Sequence, residues 1–142
     1  MPKTSRQIQG DVYRKLLKSP IAETITGGVY REGLRPRDSP NEDAVVIFTA
    51  GVTGDIQSGV VTINIFVPDI DPYDNGVLTE DSARTEEIEL AAQRWVDSLS
   101  TRDSNYRFRL QQTIATDEAP ELHEHFIVVR LEYDFFGDDD TD

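Results

Sequence analysis

The stretch GVVTINIFVPDIDPYDNG (59–76) decides how the chain is read. In its first half Val61, Ile63, Ile65 and Val67 fall on one side of an extended backbone, and Val60, Thr62, Asn64 and Phe66 on the other. That is the pattern of a strand with one face in a core. In its second half three aspartates, two prolines and an Asn-Gly crowd into a hook, and two chemistries are open to it. As a cation site, Asp69, Asp71 and Asp74 would offer hard oxygen ligands. The EF-hand register fails, however. Counting from Asp71 puts Tyr73 at the third ligand position and Ser82 where a bidentate Glu is needed, and counting from Asp69 puts Asp74 in place of the turn glycine. The reading that remains is an exposed loop, in which Pro68 stops the ladder and Asp and Asn favour turns.

Outward from this strand, AVVIFTA (44–50) and QSGVVTINIFV (57–67) are separated by a short turn, so they form an antiparallel hairpin. Residues 6–18 place Ile8, Val12 and Leu16 four apart, an amphipathic helix with Ser5 as the expected N-cap; IAETI then adds a further turn, and VYR (29–31) makes a small edge strand. Residues 32–43, rich in Pro and charge, read as an exposed loop. Residues 84–99 carry the stripe Ile88, Ala91, Ala92, Trp95 and Leu99 of a second helix. YRFRLQQTIA (106–115) alternates Tyr106, Phe108, Leu110 and Ile114 with Arg107, Arg109, Gln111 and Thr113. HEHFIVVRLEYDFF (123–136) is the last long strand. The expectation is one α+β domain over residues 1–136: a four-stranded antiparallel sheet plus the short edge strand, with two helices on one face. Val60, Phe66, Phe126 and Val128 would then lie on the outer face, where such residues suggest burial against a partner.

With 27 acidic and 14 basic residues the net charge is −13, which argues against binding by phosphate neutralisation or attachment to an anionic membrane. The block GDDDTD (137–142) is expected to be a disordered acidic tail. No cysteine is present, so disulfides, thiolate metal sites and Cys nucleophiles drop out. No apolar run is long enough to span a bilayer, and MPKTSRQIQG lacks the apolar region of a secretory signal, so a cytoplasmic protein is expected. His123 and His125, two apart on a strand, would face one side, as two ligands of one zinc would, but a third ligand is not in pattern. Glu42-Asp43 lacks the partner acid and lysine of a nuclease site. Nucleophile elbows and phosphate loops are absent. No cofactor is called for.

The order of features resembles the tail-completion and tail-terminator proteins of tailed bacteriophages. It runs from the helix QIQGDVYRKLLKS through GGVYREGLRP to SPNED directly before AVVIF, then QSGVVTINIFVPD, the helix IELAAQRWVDSL and the closing strands, over residues 6–136. The resemblance implies a virion structural protein without an active site, assembled in the host bacterial cytoplasm. It would form a ring, expected to be six-fold, at the head-proximal end of the tail. That ring would cap the tail tube protein, dock the head-completion connector, and let DNA pass through an acidic lumen without specific binding. Inter-subunit contacts are then expected at Arg35, Arg37, Asp69, Asp71, Tyr73 and Asp74 in the two long loops, and at the basic stripe Arg107, Arg109 and Arg130. Three alternatives stay open: another head–tail adaptor, a small divalent-metal enzyme built on the aspartates and the histidine pair, and an acidic DNA-mimic regulator.

Overall fold

The computed structural model describes residues 2–99 and 105–137. The expected acidic tail lies outside the described residues beyond Gly137. The chain runs α1 (Ser5–Leu17), α2 (Pro20–Thr24), β1 (Val29–Arg31), β2 (Asp43–Val52), β3 (Gln57–Pro68), α3 (Ser82–Leu99), β4 (Tyr106–Leu110), β5 (Ala115–Ala119) and β6 (Glu124–Phe135), with a 3-10 turn at Pro120–Leu122. It is an α+β fold.

The sheet has the order β1-β2-β3-β6-β4, with β5 also on β6. β3 and β6 pair along their whole length, from Gln57 opposite Phe135 to Pro68 opposite Glu124. Three details differ from the sequence expectation. The sheet is mixed, because β1 runs parallel to β2. There are six strands rather than four and an edge strand: the segment read as one strand over 106–115 breaks after Leu110, and ATDEA (115–119) pairs separately with the first half of β6. The reason is local. Gln111 donates its backbone N–H to Arg130 O and the chain turns there, while β5 carries no apolar alternation to announce it; what it satisfies is the open backbone edge of β6. Third, α2 is a separate short helix, capped by the Ser19 hydroxyl and started by Pro20.

The faces follow the alternation. Val61, Ile63, Ile65, Val67, Ile127, Val129, Leu131 and Tyr133 point inward and are buried beneath Ile8, Val12 and Leu16 of α1, Ile21 of α2, and Ile88, Ala91, Ala92 and Trp95 of α3. The N-cap of α1 is Thr4, one residue earlier than expected: its hydroxyl accepts from the Gln7 N–H, and the Gln7 side chain accepts from the Thr4 N–H. On the outer face Phe66 and Phe126 lie with ring centroids 5.4 Å apart, and the Thr49 and Thr62 hydroxyls bond at 2.6 Å. Thr49 is the extra residue of a bulge between Phe48 and Ala50. Gly59 sits beneath it, and a Cβ there would come within 2.1 Å of Ala50 O. No described helix is long and apolar enough to cross a membrane.

Candidate functional site

One end of the sheet gathers most of the chain's committed polar chemistry. There β2 begins, β3 ends and β6 begins, and residues 32–42, 69–81 and 120–123 converge. Asp43 opens β2 and Glu124 opens β6, both facing outward on either side of the last residues of β3. Their side chains are only 1% and 6% exposed. Arg35 reaches back from its loop to both: Nε donates to Asp43 Oδ2 at 2.9 Å, and the two terminal nitrogens donate to Glu124 at 3.0 and 2.9 Å. Its guanidinium lies 4.3 Å from the Phe66 ring centroid, the stacked and bidentate use to which Arg is suited. Burial by itself raises the Asp43 carboxyl pKa, but donors from Ser39 Oγ, Gly28 N–H and Arg35 outweigh it and hold the group below the ordinary carboxylate value.

A second clamp lies next to it. Arg84, in the first turn of α3, donates to the buried Glu42 at 2.6 and 2.8 Å and to Thr24 O at 2.9 Å. The Glu42 carboxylate pushes the Arg84 pKa well above its usual value. Glu42 also accepts from the Thr26 N–H, so one carboxylate ties α2, β2 and α3 together.

The hook at 69–81 is a compact turn. Ile70 and Thr79 exchange backbone hydrogen bonds at 2.9 and 2.8 Å. Asp71 accepts from the N–H groups of Asn75 and Gly76 at 3.0 and 2.8 Å, and Gly76 takes a positive φ of 82°. Asp69 has a different partner, bonding His125 Nδ1 at 2.7 Å. On the far side of that ring, Glu80 lies 4.0 Å from Nε2 and accepts from Thr85 Oγ1. The three aspartates are therefore not convergent. The two histidines do not share a strand face either: His123 precedes β6 with a left-handed backbone, φ 54°. Among the described residues no group of three or more His, Asp or Glu side chains is placed to hold a metal ion.

The remaining expected contact residues fall in different places. Arg107 and Arg109 share Asp134 of β6, and Arg109 also bonds Glu132 at 2.7 Å; Arg130 donates to Gln111. This basic stripe is thus paired within the chain. Arg35 is likewise spent on internal bonds. Arg37, Tyr73 and Asp74 are exposed. Around them lies what the sequence did not single out: Leu34 is 65% exposed, Tyr73 83% and Val77 58%, with Leu78, Ile70 and Leu122 also exposed. All six belong to the three segments that converge on the Arg35 cluster. Leu122 and Arg35 line the same shallow cleft.

Glu42, Asp43 and Arg84 were also missed as a unit. The available signal was two acids immediately before an apolar strand, which can only be buried if arginines reach them.

No family model matches the chain, and no curated protein matches it. A solved structure superposes on it with a TM-score of 0.52 and 17% identity, covering 94% of this chain and 96% of that one. At this identity the likeness concerns the fold.

Proposed function

We propose that the chain is a structural assembly subunit of the tail-terminator or tail-completion kind, a ring component at the head-proximal end of a phage tail that acts by contact and not by catalysis. The observation that carries this reading is the concentration of exposed apolar side chains, Leu34, Ile70, Tyr73, Val77, Leu78 and Leu122, on loops at a single end of the sheet. Lone exposed apolar residues are ordinary, but a set of them on converging loops is a contact surface. The rigid support beneath it agrees with that role. Arginines neutralise the buried carboxylates in fixed pairs, which suits a fixed shape better than proton transfer. The feature order from α1 to β6 supplies the choice of family, and the acidic net charge suits a lumen through which DNA slides.

The test is deletion of the gene in a phage or prophage that carries it. The expected result is tails of uncontrolled length and heads that fail to join them. Normal-length tails joined to heads would refute the reading.

A further inference from the structure

The described chain has a strongly acidic end and a basic end. Residues 69–81 hold Asp69, Asp71, Asp74, Glu80 and Asp81 with no basic residue, and with them the exposed Tyr73 and Val77. Residues 1–18 hold Lys3, Arg6, Arg14, Lys15 and Lys18 against Asp11 alone. The two regions lie at opposite ends of the sheet. The hook leaves β3 where Asp69 bonds the His123 carbonyl. The start of α1 sits by the other end of the same strand, where the Lys3 N–H donates to Gln57, and Lys18 lines a cleft of about 440 Å³ with Asn105 and Tyr106. On α1 the exposed Arg14 and Lys18 lie four residues apart and the exposed Arg6 stands eight before Arg14, with the exposed Leu17 beside Lys18. Arg14 pairs with Asp11, while the Arg6 and Lys18 side chains make no hydrogen bond or ion pair among the described residues.

From this opposition we propose that the occupant of the hook is a second copy of this chain, docked head to tail: the acidic, apolar 69–81 turn of one copy sits on the Arg6–Arg14–Lys18 face of α1 in the next. A two-fold contact centred on the hook would set like charge against like charge, whereas a contact between the hook and the α1 face joins opposites. Such a contact closes into a ring or runs on as a filament, depending on the rotation between copies. The inference rests on the proposed function in taking the chain to self-assemble, and adds which surfaces meet.

Two variants test it by sedimentation velocity on the full chain. The first is Arg6→Glu with Lys18→Glu, on an exposed helix face; the second is Tyr73→Ala with Val77→Ser, on the hook. Circular dichroism verifies that both fold. The wild type is expected to self-associate in about 0.01 M salt, where the screening length is about 30 Å, and at least tenfold more weakly in about 1 M, where it is about 3 Å. Each variant alone is expected to be monomeric. Mixed, each supplies the surface the other lacks, so they form a one-to-one dimer and nothing larger. A chain shortened after Gly137 loses four aspartates and their negative charge, and is expected to associate at least as tightly as the full chain. Wild-type assembly retained by either variant overturns the proposed interface while leaving the ring reading standing. A wild type that stays monomeric at low salt also overturns it, and the gene deletion then decides the function separately.

Discussion

Replacing Arg35 by Met removes every side-chain donor that Glu124 has among the described residues and one of three donors to Asp43. Both carboxylates sit almost wholly out of water. Breaking a buried pair from one side costs about 3–5 kcal/mol, because a charge is left uncompensated. Asp43 keeps Ser39 Oγ and the Gly28 N–H, so we expect the lower end, about 3 kcal/mol. At about 2.1 cal/mol/K per residue over the 142 residues of the chain, that corresponds to a fall in Tm of about 10 °C. Urea unfolding followed through the buried Trp95 measures it. The double variant Arg35→Met/Glu124→Gln removes the stranded charge and is expected to recover about half of the loss.

The pH dependence gives the mechanism a sign. In the wild type the Asp43 carboxyl titrates below its unfolded value. Its contribution is therefore complete above about pH 4 and is lost as the pH falls through the lower folded value. Between pH 7 and 5 it adds no slope. In Arg35→Met, Glu124 is left a buried carboxylate without a side-chain donor, and that is where most of the loss arises. A loss below about 1 kcal/mol at pH 7, the scale of an exposed pair, would show that the cluster is solvated and the reasoning wrong.

Other substitutions separate the remaining terms, read by the same urea titration. Arg107→Ala and Arg109→Ala remove exposed partners of Asp134, and each is expected to cost less than about 1 kcal/mol; a cost like that of Arg35 would refute the distinction between the two clusters. The Tyr133 hydroxyl is buried without a hydrogen-bond partner among the described residues, so Tyr133→Phe is expected to be neutral or to stabilise by about 1 kcal/mol, and a loss would mean that the hydroxyl has a partner. Gly59→Ala drives a Cβ to 2.1 Å from Ala50 O and forces β2 from β3, costing about 1–3 kcal/mol, whereas Gly54→Ala meets nothing closer than 3.8 Å and should be near neutral. Equal effects at the two glycines would locate the strain elsewhere.

Periodicity made the core legible. The inward residues of β3 and β6 and the stripes of α1 and α3 needed only a period of two or of four, since burial is what imposes those periods. Where burial does not act, the sequence was silent. β5 is acidic and half exposed, and it is a strand only because β6 offers it an unpaired edge; nothing within ATDEA records that. The 106–115 run failed for the converse reason, since its alternation continues past the point where Gln111 turns the chain. At the candidate site, the loop character of 69–81 was readable from Pro, Asp and Asn. The commitment of Arg35 to Asp43 and Glu124 was not: it joins residues 89 apart in sequence to Glu124, and each of the three alone looks like a surface charge.

The two arginine clamps stand where apolar packing would have served stability equally well, since a buried ion pair is often no better than hydrophobic residues of the same volume. What ion pairs add is direction. Arg35 fixes the 32–42 loop against the first residue of β2 and of β6 at once, and Arg84 fixes the start of α3 against the start of β2. His125 holds Asp69, from which the 69–81 turn departs. Each clamp therefore ends at a segment that carries exposed apolar side chains or anchors one. The physical role that follows is to hold Leu34 and the hook in a fixed relation, so that little ordering entropy remains to be lost when a neighbour arrives. Arg35→Met/Glu124→Gln separates holding the fold from aiming the loops: much of the stability returns while the 32–42 loop loses its anchor. Self-association should weaken in that variant more than its stability does.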